Sequence, residues 1–313
     1  MTAAPPWELS QLGLDREHFV RADAKSWRGP CPRCGGHRRL LIFTDHPFPK
    51  WNAECESCGL KAWADQLNSA VKAEVTPEQR AEWATRNRAD QDARERYRRE
   101  KLAEFTTHEL WLELAARMTA EHRAWWRSAG VPDEWQQHLR IGYLPEKRYL
   151  GQDGETHQSP AYTLPYFHTG FEFVTLQYRL NDVSNPAERY RFEKGLGTTY
   201  YQTDPNNPIG PEVIICEGAK KAIVTAVNTP ERYTVLAVPS KGDFAGVVAA
   251  VGESERVYVL LDPDAGARAH KLATEIGPAA RVVTLPVKVD DGFTRHGLKQ
   301  AGLLAAMQYA RPN

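Results

Sequence analysis

The chain has 313 residues, 42% hydrophobic and 26% charged, and its 40 basic and 40 acidic side chains cancel. That balance excludes a collagen-like or intrinsically disordered chain, and it excludes a polycation that holds nucleic acid by bulk charge. The length predicts about two domains, each able to bury a core of its own.

No leader pattern and no apolar run near the roughly twenty residues of a membrane span is present, so a cytoplasmic protein with no membrane partner is expected. Four of the five cysteines fall in two Cys-x-x-Cys pairs, which suits metal binding in a reducing compartment better than disulfides. The fifth, Cys216, lies within an apolar run and reads as core.

Residues 1–26 carry Trp7, Leu9, Leu12 and Leu14 and predict a short helix packed on the adjoining segment. Next come Cys31 and Cys34, then Cys55 and Cys58, with 20 residues between the pairs. Each pair aims two thiolates at one point. Four thiolates complete the closed tetrahedron of a structural zinc site. Gly35 and Gly59 follow the pairs, where φ can turn positive. Residues 39–44 and 51–54 are predicted as the two strands of a ribbon, with Phe43 and Trp51 in its small core. Arg33, His37, Arg38, Arg39 and Lys50 beside Phe43, Phe48 and Trp51 form a pattern suited to single-stranded nucleic acid, with Arg38 and Arg39 as candidate contacts.

Residues 76–101 are almost wholly charged, and Thr76-Pro77-Glu78 makes a helix start. We read a solvated connector helix. Residues 106–129 place Leu110, Leu114 and Met118 on one helical face and end in Trp125-Trp126, with Gly130 as the stop. Pro132 opens a second short helix that ends near Leu139. Residues 161–180 alternate as a hairpin around Thr169-Gly170 and lead into NDVSNPAERYRFEKG.

From Val213 to Leu285, four β-branched runs alternate with two helical patterns and a shorter third. That order predicts βαβ units and a parallel sheet. Glu217 closes the first run, and Asp262 and Asp264 follow the third. All carboxyl ends of parallel strands share one edge, so these acids can meet there. Converging carboxylates need a cation, and oxygen donors suit Mg²⁺ or Mn²⁺. Ser240-Lys241-Gly242-Asp243 follows the second run, where the glycine lets backbone approach the site. Asp290 and Asp291 come after the last and are candidates for a further metal. The expected fold class is multidomain α+β, in four parts: a zinc-binding ribbon over 1–72, a charged helical linker over 73–105, a mixed segment over 106–210, and an α/β domain with a Rossmann-like parallel sheet over 211–313.

Glu217-Gly218 at the end of one hydrophobic strand and Asp262-Pro263-Asp264 at the end of a later one resemble the TOPRIM domain of topoisomerases, DnaG-type primases and some nucleases. The stretch HRAWWRSAGVPDEWQQHLRIGYLP, with Gly142-Tyr143 opening a strand, resembles the entry to the catalytic core of bacterial and phage primases. Zinc ribbon, core entry, basic strand segment and TOPRIM unit come in primase order. The chain thus resembles a DnaG-type primase of the phage and mobile-element kind, with no helicase domain and no Walker-type GxxxxGK[ST].

This resemblance implies metal-dependent synthesis of short RNA primers on single-stranded DNA from nucleoside triphosphates, with a separate replicative helicase as partner. It implies Asp262 and Asp264 as Mg²⁺ or Mn²⁺ ligands, Glu217 as ligand or base, and Asp290 as a further ligand. Arg179, Arg189, Arg191, Lys194, Lys220 and Lys241 would meet phosphates or template. Two departures stand out: Lys220 occupies a place where the family often has an acid, and Arg189-Tyr190 replaces the usual Lys-Tyr. Two other readings stay open, a TOPRIM nuclease or topoisomerase-like enzyme and a non-catalytic adaptor that binds single strands.

Overall fold

The computed structural model describes residues 14–22, 26–44, 52–63, 66–67, 70, 76–151, 155–239 and 244–311. Expectations for residues 1–13, for Phe48, Lys50 and Trp51, and for Ser240 to Asp243, including Lys241, lie outside these residues. The chain divides into two compact units, one drawn from residues 1–97 and 148–157, the other from 98–147 and 158–313.

In the first unit, β1 (Val20–Arg21), β2 (Ser26–Gly29), β3 (Leu40–Phe43), β4 (Asn52–Cys55) and β5 (Lys61–Trp63) form one antiparallel sheet in sequence order. The expected ribbon is its central pair, β3 with β4, in the register Leu40↔Cys55 and Ile42↔Ala53. Leu40, Ile42, Ala53 and Cys55 point into the core. Phe43, expected there, is half-buried on the opposite pleat, because side chains one residue apart leave a strand on opposite faces.

Helix α1 (Pro77–Thr107) begins where Thr76 caps it. The Thr76 hydroxyl accepts the Gln79 N–H at 3.2 Å, and the Gln79 side chain accepts the Thr76 N–H at 3.1 Å. The reading of this helix as a solvated connector needs correction over its first half. Trp83 is buried in the ribbon core. Asn87 donates to the Cys34 carbonyl at 2.9 Å, Arg86 donates to the Ser57 carbonyl at 3.0 Å, and Arg39 pairs with Asp90. One tryptophan in a charged run thus anchors a helix face, because a single large aromatic buries enough apolar area to dock it.

In the second unit, the predicted helix over 106–129 is split into α2 (Leu110–Ala116) and α3 (Ala120–Ser128). Thr119 breaks it. Its hydroxyl accepts the His122 N–H while His122 Nδ1 accepts the Thr119 N–H, so local bonds displace the helical ladder. The second short helix is α4 (Asp133–His138), as Pro132 predicts. Strands β6 (Gly142–Leu150), β7 (Thr156–His168), β8 (Glu172–Leu180) and β9 (Tyr190–Phe192) form a sheet in that order, and β7 and β8 are the expected hairpin. Phe105 and Trp111 stack on Phe173 at 5.4 and 4.8 Å and cover one face of this sheet.

Gly142 is there for space: a Cβ would stand 2.6 Å from the Leu114 carbonyl carbon and 2.8 Å from the Ala115 nitrogen. Since backbone rather than side chain must move, Gly142→Ala should cost about 3 kcal/mol in urea unfolding. An unchanged midpoint would show that the two elements are not locked.

The remaining elements are β10 (Tyr201–Gln202), β11 (Glu212–Glu217), α5 (Ala219–Val227), β12 (Tyr233–Val238), α6 (Ala245–Ala250), β13 (Arg256–Leu260), α7 (Gly266–Ile276), β14 (Ala280–Val282), α8 (Val289–Arg295) and α9 (Gln300–Tyr309). The sheet order is β10-β12-β11-β13-β14. β11 to β14 are parallel, as read from the sequence, and β10 adds an antiparallel edge. Ile214, Cys216, Val235 and Tyr258 pack on one face with Ile223, Leu303 and Met307; Val213, Ile215, Leu236 and Val257 pack on the other with Val247 and Leu272. Burial on both faces explains why these strands read as unbroken apolar runs. Cys216 donates to the Thr225 hydroxyl at 3.4 Å, and burial pushes its thiol up to about 12, so it is inert core.

Candidate functional site

The four paired cysteines converge. Cys31 Sγ lies 3.7 Å from Cys58 Sγ, Cys34 Sγ lies 3.7 Å from Cys55 Sγ, and all four sulfurs fall within 4.8 Å of one another. A Zn–S length of about 2.3 Å gives tetrahedron edges of about 3.8 Å. Two matching turns build the cluster. The Gly35 N–H bonds the Cys31 carbonyl and the Gly59 N–H bonds the Cys55 carbonyl, each glycine at a φ near +70. The Cys55 thiol is held down to about 5 by the hydrogen bond from Cys31, with further help from the Cys58 and Ser57 N–H groups against the cost of burial. The donor set, spacing and charge fit a structural zinc ion.

The second cluster lies at the carboxyl edge of the parallel sheet. Glu217 ends β11, and Asp262 follows β13. Asp290 sits in the first turn of α8, buried. Asp264 is exposed in the short turn after Asp262. Each of the other three acids meets a cation of the chain. Arg268 bonds Glu217 at 3.2 Å and also donates to the Pro239 carbonyl. Lys221 bonds Asp262 at 2.8 Å, and Lys288 approaches the same carboxylate at 3.3 Å. Lys220 bonds Asp290 at 2.8 Å. Among the described residues, the cysteine quartet is the only group of three or more potential ligands gathered on one point. In this arrangement the acidic edge is a row of ion pairs.

The oxygen donors suit a hard divalent ion in kind, and Asp290 Oδ1 is a buried acceptor with no hydrogen-bond partner. The lysines that hold these carboxylates reach the edge on flexible stems. Burial pushes the Asp290 carboxyl up, but the Lys220 hydrogen bond and charge outweigh it, so the group is held below its ordinary value. A depressed acid stabilises the fold above its unfolded value and loses that contribution as pH falls through the folded one. Asp290→Asn should therefore cost about 2 kcal/mol at pH 7, and the gap to the parent should shrink below about pH 4. Urea unfolding at pH 7, 5 and 3 checks this; a gap independent of pH would remove the ion pair from the account.

The basic residues of the antiparallel sheet do not make one wall. β8 pairs Arg179 with Tyr162 on one side and Tyr190 on the other. Arg179 lies 4.2 Å over the Trp125 ring and donates to Asn181 at 2.7 Å. Burial lowers its pKa. Trp125 stacks on Tyr162 at 4.8 Å, and His122 on Tyr143 at 3.6 Å. Arg191 pairs across from Tyr178, one step along, so it leaves the opposite face, where it bonds Glu188 at 3.1 Å. Arg189 follows the short turn Pro186–Glu188, and Lys194 is exposed. In the first unit Arg38 is exposed, whereas Arg39 is engaged with Ser57 and Asp90. Sequence reasoning singled out the exposed Tyr190 with Arg189, but not the rings of His122, Trp125 and Tyr143 that stack near Arg179. A signal for the stacked rings was the Trp-Trp pair, whose second ring is fully buried while the first is half-buried.

No protein-family model and no curated protein matches this chain. Solved structures do. The zinc-binding and RNA polymerase domains of the Aquifex aeolicus primase match with a TM-score of 0.53 and 13% identity, over 98% of this chain and 83% of that one. A DnaG primase catalytic domain bound to single-stranded DNA matches with a TM-score of 0.54 and 15% identity, over 69% and 83%. A DnaG catalytic core matches with a TM-score of 0.52 and 14% identity, over 66% and 78%. At such identities the likeness is one of fold.

Proposed function

We propose that this chain is a primase: it binds single-stranded DNA and joins nucleoside triphosphates into short RNA primers along it. The observation that carries this reading is the span of the fold likeness. It runs over 98% of the chain against a primase's zinc-binding and polymerase domains, and the four-cysteine cluster stands at the amino-terminal end. The parallel sheet with Glu217 and Asp262 at its carboxyl ends supports a TOPRIM assignment. The stretch from His122 to Pro145, which resembles the entry to the primase core, is what supports the phage and mobile-element kind, and a replicative helicase is the partner this reading proposes. No helix of the described residues is long and apolar enough to cross a membrane.

In this reading Asp262 and Asp264, with Glu217 and Asp290, would hold Mg²⁺ or Mn²⁺, which would supply charge neutralisation for phosphoryl transfer. Lys220, Lys221 and Lys288 exchange their carboxylate partners for phosphate oxygens. Arg179, with Trp125 and Tyr190 beside it, offers a guanidinium and ring faces to the strand. The test is incubation with a random single-stranded template, four labelled nucleoside triphosphates and Mg²⁺ or Mn²⁺. A ladder of short products is expected.

One observation favours a second reading. The lysines already neutralise the acids that a polymerising site needs. Tight single-strand binding with no incorporation under either metal would make the chain a non-catalytic replication adaptor.

A further inference from the structure

The amino edge of the parallel sheet carries a second, unassigned feature. The strands β11, β12, β13 and β14 start there, and Glu212, Tyr233, Arg256 and Arg281 stand at or next to their first positions. With α9 these residues line an open cleft of about 480 Å³. That is within the roughly 300–1,000 Å³ of small-molecule sites.

Its chemistry is specific. Three guanidinium groups, from Arg232, Arg256 and Arg281, line it beside a single carboxylate. Glu212 is shared by Arg232 at 3.1 Å and Arg256 at 3.4 Å. Arg281 is oriented by the Pro278 and Ala280 carbonyls at 2.7 and 2.8 Å, which fix its direction without cancelling its charge. Two positive charges are therefore left over. Planar guanidinium forks match phosphate oxygens in pairs. The other walls are flat or apolar. Tyr233 lies under Arg232 at 4.6 Å and edge-to-face with Tyr258 at 6.2 Å, and Leu304 and Met307 of α9 complete the lining. Paired phosphates beside an aromatic surface are what a nucleotide presents and needs.

We propose that this cleft binds a nucleoside polyphosphate, at a site separate from the carboxyl edge. β11 enters the cleft at Glu212 and reaches the acidic edge at Glu217, five residues or about 17 Å away. Binding here does not depend on whether the acidic edge polymerises nucleotides.

The experiment uses the full chain in EDTA. Photolabelling with 8-azido-ATP followed by peptide mapping should place the label on peptides holding Tyr233, Tyr258 or Met307. Calorimetric titration with ATP should show a site that weakens at least about tenfold in the double variant Arg256→Gln/Arg281→Gln. Both arginines are at the surface of the sheet edge, and the labelling of the parent chain does not depend on the variant. Pyrophosphate should bind more weakly than ATP, and adenosine weaker still. Label found only on other peptides, unchanged ATP affinity in the double variant, or pyrophosphate binding as tight as ATP would each overturn the nucleotide assignment.

Discussion

Asp262→Asn should reduce nucleotide incorporation at least about a thousandfold while single-strand binding persists. The carboxylate sits at the exit of β13, where two lysines, Lys221 and Lys288, converge. In the proposed reading its charge would hold the metal ion that supplies several kcal/mol of charge stabilisation in phosphoryl transfer, and each 1.36 kcal/mol is about tenfold in rate. The fold has a separate stake in Asp262, since the substitution leaves two ammonium groups without their carboxylate. Incorporation and urea stability are therefore measured on the same preparation. Loss of product with an unshifted unfolding midpoint supports the catalytic role. Normal product lengths and rates would remove Asp262 from the chemistry, and with it the proposed use of this edge.

The second large effect is on the metal module. Cys34→Ser, or stripping the parent with a chelator, should release one zinc ion per chain and unfold residues 26–44 and 52–63. The cysteines are part of the small core itself, packed with Leu40, Ile42, Leu60 and Trp83. A structural zinc contributes roughly 10 kcal/mol or more to such a module, which is more than so small a core holds in reserve. Asn87 of α1 donates to the Cys34 carbonyl, so the first half of that helix should lose order with the ribbon. Amide hydrogen exchange reads this directly. Residues 26–44 and 52–63 should lose protection, and residues 213–239 and 244–285 should keep it. Retained protection around β3 and β4 without zinc would mean that the sheet stands by itself.

Several parts of this picture follow from residue pattern because the physics is local. Two Cys-x-x-Cys turns converge wherever a ribbon pairs the strands between them. The runs at 213–216 and 257–261 announce buried parallel strands because they are unbroken apolar stretches. Thr76 and Pro132 mark helix starts through bonds and φ constraints within a few residues. Other expectations failed where a distant partner or a single step of register decides. The helix over 106–129 divides at Thr119 because His122 reciprocates its cap. Phe43 misses the core, and Arg179 and Arg191 part company, because neighbouring side chains on a strand face opposite ways.

By itself the chain determined its four-cysteine cluster, its parallel sheet and the edge at which Glu217 and Asp262 emerge, since spacing and apolar runs carry that information. Only the tertiary structure decided which cation each acid holds, that Trp83 ties the charged helix to the ribbon, and that three arginines from separate strand starts line one cleft. Those outcomes join residues tens of positions apart, and they depend on distances that no local pattern encodes.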